Sequence, residues 1–166
     1  MWLSERRAML TGLLALPVAA ACGFSPAHAP GGPGAALRGQ VRADDPRNVR
    51  DSAFVAALED RLGRPQAARF ALSHDISVSE SGGARMRRLG DTRFQVFGRV
   101  HFALRDIASD SELYSGTVRN FTAYSATSTQ LATLAAQEDA ERRLMVILAD
   151  QVVARLLAVL ADVAAP

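Results

Sequence analysis

The chain has 166 residues, 19 of them basic and 17 acidic, a formal net charge of +2, and every basic residue is an arginine. So small a surplus excludes a general nucleic-acid binder, which needs a concentrated basic face. The single cysteine excludes a disulfide framework, and the length allows one domain with a real core.

The first elements are those of export. Arg6 and Arg7 supply a positive n-region, and a mostly apolar run follows from Ala8 to Ala21. That run is shorter than the roughly 20 residues a membrane-spanning helix needs, and it ends in small residues, as a signal peptide does. The sequence Ala19-Ala20-Ala21-Cys22 resembles a lipobox, with Ala19 where leucine is usual. Residues 1–21 are therefore read as a removable signal peptide and Cys22 as the lipid-bearing N-terminus. One acyl chain binds a membrane only marginally, but two or three hold a protein there. Gly23 follows the cysteine, where aspartate would signal inner-membrane retention, so the expected location is the periplasmic side of the outer membrane. Arg6-Arg7-Ala8-Met9-Leu10 also resembles the twin-arginine export pattern, and the export route stays open between the two. Loss of the leader removes two arginines and one glutamate, leaving a mature net charge of +1.

Residues 22–34 hold three prolines and four glycines and read as a flexible tether. A single domain over residues 35–163 follows. Ala36–Val41 is a short candidate strand. Asn48 or Asp51 caps a helix with Phe54, Val55, Leu58 and Leu62 on one stripe, stopped by Gly63 and Pro65. From Phe70 the period changes to two: Phe70, Leu72, His74, Ile76 and Val78 share a face until Ser81-Gly82-Gly83 ends the strand. The next strand puts Phe94, Val96, Gly98, Val100, Phe102 and Leu104 on the core side, and Arg93, Gln95, Phe97, Arg99, His101 and Arg105 outside. After a turn at Ser109-Asp110-Ser111, a third run spans Leu113 to Tyr124, completing an antiparallel meander with one buried and one wet face. A long helix from about Gln130 to Val163 closes the chain, capped by Ser128 or Thr129, with Leu134, Leu144, Leu148, Val152, Leu156, Val159 and Val163 as its stripe. Near 50 Å long at 1.5 Å per residue, it must bend or overhang. The expected fold is α+β, order β-α-β-β-β-α: a small, mostly antiparallel sheet of about four strands with two helices packed on one face.

Catalytic signals are poor. The chain has no nucleophile elbow, zinc-protease pair, phosphate loop or dinucleotide fingerprint. His74 reads as a satisfied core histidine. Asp75 cannot form a dyad with it, because neighbours on a strand point to opposite sides. No enzyme, cofactor or metal is expected. A basic cluster stands out instead: Arg85, Arg87, Arg88 and Arg93 around a hairpin loop, continued by Arg99 and Arg105. Guanidinium groups suit phosphate recognition, though a solvated loop is as good a reading from the residues alone.

Several stretches together resemble one family: Ala21-Cys22-Gly23-Phe24, the passage from Asp44-Asp45-Pro46 to Leu62, Ser115–Ser125, and Leu134–Leu144. They are similar to LptE, the lipopolysaccharide-assembly lipoprotein, in its alphaproteobacterial form. The resemblance implies a non-enzymatic partner of the LptD β-barrel that plugs the barrel and binds lipopolysaccharide. It also implies ligand contact at a strand-loop tip, where Arg87 falls, with Arg85 and Arg88 beside it. A second basic position of the family, near the start of the last helix, is Ala136 here. A generic envelope adaptor and, more distantly, a lipid-anchored hydrolase are the alternatives.

Overall fold

The computed structural model describes residues 32–85, 92–126 and 129–164. In chain order its elements are α1 (Pro33–Leu37), β1 (Val41–Ala43), α2 (Val49–Leu62), β2 (Phe70–Arg85), β3 (Thr92–Asp106), β4 (Ser111–Ser125) and α3 (Gln130–Ala164). The α+β class and the four-stranded sheet with its helices on one face are as the pattern predicts, with one helix more.

That extra helix corrects the strand expected at Ala36–Val41. Proline pre-sets the backbone for a helix start, and Pro33 stands just after the Gly32 cap. Leu37 is completely buried, against α3. Gly39, in the left-handed region at φ 68°, ends the excursion, and its N–H donates to the Leu62 carbonyl at 2.6 Å. The strand begins only at Val41. Helix α1 thus starts inside the stretch read as tether.

Helix α2 begins as its sequence dictates: the Asn48 side chain accepts from the Asp51 N–H at 3.0 Å. Gly63 at φ 78° ends it. Its return sets β1 parallel to β2, Val41 opposite Phe70, and the remaining strands pair antiparallel in the order β1-β2-β3-β4. Strand β2 does not stop at Ser81-Gly82-Gly83; it absorbs the glycines in a register shift between Gly82 and Arg85 and runs on to Arg85. The turn from β3 to β4 is organised by Asp106, whose carboxylate accepts from the N–H groups of Ala108 and Ser109 and from Arg69. Those bonds, the Ser109 N–H foremost, hold the carboxyl below the usual carboxylate value.

One face of the sheet carries Leu72, Val96, Val100, Phe102, Leu104 and Val118, all buried against α2 and α3. Gly98 lets α3 close on the sheet: a Cβ there would lie 2.7 Å from Leu148 Cδ1 and 3.0 Å from Leu144 Cδ2. Thr122 reaches out of β4 to donate to the Ala140 carbonyl at 2.9 Å. Arg50–Glu141 and Arg61–Asp150 tie α2 to α3 at two levels, so the two helices run side by side in the same direction. Helix α3 starts at Thr129, whose hydroxyl accepts from the Ala132 N–H. In its first turns Leu131 and Leu134 are exposed, which removes Leu134 from the expected stripe. Ala140, Leu144, Leu148, Val152 and Leu156 make that stripe instead, fully buried; Val159 is half-buried, and the Val163 side chain lies outside those described.

Candidate functional site

The uncovered face of the sheet is built by strict alternation. Because β2, β3 and β4 are in register, residues that point away from the helices fall into rows. Asp75, His101 and Thr117 form one row; Ser77, Arg99 and Arg119 the next; Ser79, Phe97 and Phe121 the third. Toward the β2–β3 hairpin, Arg93 stands opposite Ser125.

Each row has its own chemistry. Thr117 Oγ1 and His101 Nδ1 are 2.8 Å apart, and Asp75 is held by Arg47 at 3.6 Å. The Phe97 and Phe121 rings lie 5.7 Å apart at 36°, exposed to 40% and 54%. Between these rows Arg99 and Arg119 face each other directly, a like-charge pairing that disfavours the sheet. Neither makes an ion pair among the described residues, although Arg47, Arg50, Arg61, Arg64, Arg69, Arg105, Arg142 and Arg143 all do.

The hairpin places the candidates found in the sequence at one end of this face. Arg85 is the last residue of β2 and pairs through its backbone with Thr92. Arg93 is exposed at the start of β3. Arg87 and Arg88 lie outside the described residues, as does Cys22. Ala136, where the family has a basic side chain, is half-buried against the core. The Arg99–Arg119 pairing was not visible in the sequence, because it depends on the β3–β4 register. Alternation from Ser115 through Thr117, Arg119 and Phe121 was the available signal.

On the covered side, His74 is buried, its ring centroid 5.2 Å from that of Phe54. Neither ring nitrogen meets a hydrogen-bonding group among the described residues. The expected core histidine is there, but it is not satisfied. Burial pushes its pKa below 6.5; Asp51, Asp44 and Asp75 pull upward, and Arg47 pushes further down. Beside it Asp51 is also buried. Burial alone would raise that carboxyl, but the N–H and guanidinium of Arg47, 3.2 Å and 3.1 Å away, outweigh it and lower it. Among the described residues no cluster of His, Cys, Asp or Glu is arranged to hold a metal, and no helix is long and apolar enough to cross a membrane.

A small sheet covered by helices, with arginines at the ends of a strand hairpin, is the arrangement the LptE resemblance implies. The family model described as LptE, lipopolysaccharide-assembly, matches residues 40–156. The chain belongs to the LptE family. Its fold is similar to that of a putative lipoprotein from Caulobacter crescentus, with a TM-score of 0.64 at 20% identity, covering 81% of this chain and 98% of that one. Rare lipoprotein B from Shewanella oneidensis is similar too, with a TM-score of 0.55 at 13% identity, covering 75% of this chain and 96% of that one. At such identities these two likenesses concern the fold alone. No curated protein sequence matches closely enough to count as a relative. The LptE match spans β1 to most of α3, so the open face, α2 and the part of α3 up to Leu156 lie within the family's own extent.

Proposed function

We propose that this LptE-family chain is an outer-membrane lipoprotein that acts with the LptD β-barrel in lipopolysaccharide transport and assembly. In this reading residues 1–21 are cleaved, acyl chains on Cys22 hold the protein to the periplasmic side, and residues 22–34 serve largely as tether to the domain. The role is non-enzymatic: a plug for the barrel and a contact for lipopolysaccharide. The observation that carries it is the asymmetry of the sheet. The helices bury most of one face, while the other is left largely polar and cationic, as suits the polar interior of a large barrel.

Arg85, Arg87, Arg88 and Arg93 are the proposed contacts for lipid A phosphates. Pairing of β2 with β3 fixes both ends of the hairpin loop, the usual setting for recognition by a tip. Replacing Arg85, Arg87 and Arg88 by serine should weaken lipopolysaccharide binding strongly with little change in melting temperature. Charge-assisted hydrogen bonds are worth about 1.5–3 kcal/mol, so one lost contact costs about tenfold or more in affinity, whereas exposed charges add little to stability. The deciding assay is a lipopolysaccharide titration at moderate salt, run beside an LptD pull-down. Unchanged lipopolysaccharide affinity with lost barrel copurification would make the loop a docking element instead; no change in either would return the arginines to solvent. Mass spectrometry of the mature N-terminus should find acylated Cys22 and nothing before it. A Cys22→Ala protein still processed and still membrane-bound would refute the anchor.

A further inference from the structure

Two features of the open face work against the isolated chain. Arg99 and Arg119 are set directly opposite each other with no carboxylate beside them, and the Phe97–Phe121 pair next to them is in water. Ser77, Ser79, Gly98 and Asn120 complete the depression they share, whose lining holds no carboxylate; Asp75, in the next row of the face, is engaged by Arg47. Around the β4 edge, Arg119 also borders a second depression, where Gln151 and Arg155 join it, again without a carboxylate. Arg155, like Arg99 and Arg119, is exposed and makes no ion pair among the described residues. A cationic band therefore runs from the middle of the sheet around its free edge to α3.

We infer that this face, centred on Phe97, Phe121, Arg99 and Arg119, is a docking surface for a protein wall that presents carboxylates beside apolar side chains. The inference rests on the barrel partnership proposed above and adds the face by which the barrel is met. Composition favours a protein: interface cores are enriched in aromatic residues and arginine, and arginine is a frequent anchor. Extent favours it too. Three strands about 4.8 Å apart, taken over about ten residues rising about 3.4 Å each, span an area on the order of 500 Å², approaching the roughly 800 Å² that each partner contributes to a standard interface. A lone phosphate would call for several donors converging on one point, but these two side chains are exposed and the other groups lining the depression they share are uncharged. The missing carboxylates are the partner's to supply.

The test uses the full chain co-expressed with its LptD barrel. A photo-crosslinking residue is placed at Phe97 or Phe121, and at Arg64 or Arg142 on the helical side, where both arginines are exposed. Positions 97 and 121 should form barrel adducts more strongly than 64 and 142. The paired substitution Arg99→Glu with Arg119→Glu should lower barrel affinity at least about tenfold, with an unchanged circular dichroism spectrum. Arg99→Lys with Arg119→Lys should keep most of the affinity. Adducts at 64 and 142 but not at 97 and 121 overturn the inference, as does charge reversal without effect. Adducts at 97 and 121 that are glycolipid instead of protein overturn it in favour of a lipid subsite. If the wild-type chain neither copurifies with the barrel nor crosslinks to it at any position, the partnership itself is refuted.

Discussion

The two faces of one sheet obey different rules, though their residues alternate along the same strands. Val96, Val100 and Leu104 are sealed by α3, whereas Phe97, Arg99 and Arg105 stand in water one residue away. On the covered face the side chains fit one another, and Gly98 sits where any larger residue would strike Leu144 and Leu148. On the open face they do not: two arginines oppose each other and two phenylalanines are half in solvent. Folding selects the first set. The facing arginines carry a cost that folding alone does not explain, and this is why the face is read as function.

The widest separation between the faces should come from neighbours. Val100→Asp places an unpaired charge under α3 and should unfold the domain, a loss of about 4 kcal/mol or more. Arg99→Asp should leave it folded. Thermal melts followed by circular dichroism compare the two, and the reverse ranking would mean a register slipped by one residue, which moves every side chain to the other face. Gly98→Val comes next, at about 1–3 kcal/mol for overpacking. Wild-type stability in that variant would show that the helix does not press on the strand.

A smaller, pH-dependent loss should come from His74. Its folded pKa lies below the ordinary 6.5, so the unfolded chain binds the proton more readily. The contribution of the neutral ring is complete above about pH 6.5 and is lost as pH falls through that value toward the folded one. Denaturant unfolding at several pH values should show this slope, and His74→Phe should flatten it. A slope that persists in the variant would assign the effect elsewhere. The smallest change belongs to Phe97→Ser with Phe121→Ser, where only a cross-strand pair worth about 0.2–1 kcal/mol is lost. A large drop in melting temperature there would make the pair part of the core and weaken its reading as a docking surface.

Much of this fold was legible because its signals are local. The run from Phe94 to Leu104 displays its own period, and Asn48 caps α2 three residues before the Asp51 N–H that it accepts from. The misreadings fall where distant chain decides. Ala36–Val41 has no period of its own; burial of Leu37 against α3 makes part of it helical. Leu134 fits the stripe of α3 by spacing, but it stands half in solvent. At the site, Arg93 and Arg99 were readable as outward-facing from β3 alone. The meeting of Arg99 with Arg119 needed the β3–β4 pairing, which no single segment encodes. His74 was rightly placed inward, yet its want of a partner depends on what surrounds it in space.

The element that seals the sheet is synthesised after every strand it covers. Strands β2, β3 and β4 follow one another in the chain and can pair as soon as they emerge. Until α3 exists, however, the core face of β3 and β4 lacks its main cover, and the sheet has open edges besides. A nascent chain in that state is the kind of species that aggregates. The order of elements therefore imposes a waiting period in which the half-built sheet must be kept apart from its copies. A chain ending before Gln130 should never leave that period, accumulating as insoluble or degraded material instead of as a smaller domain.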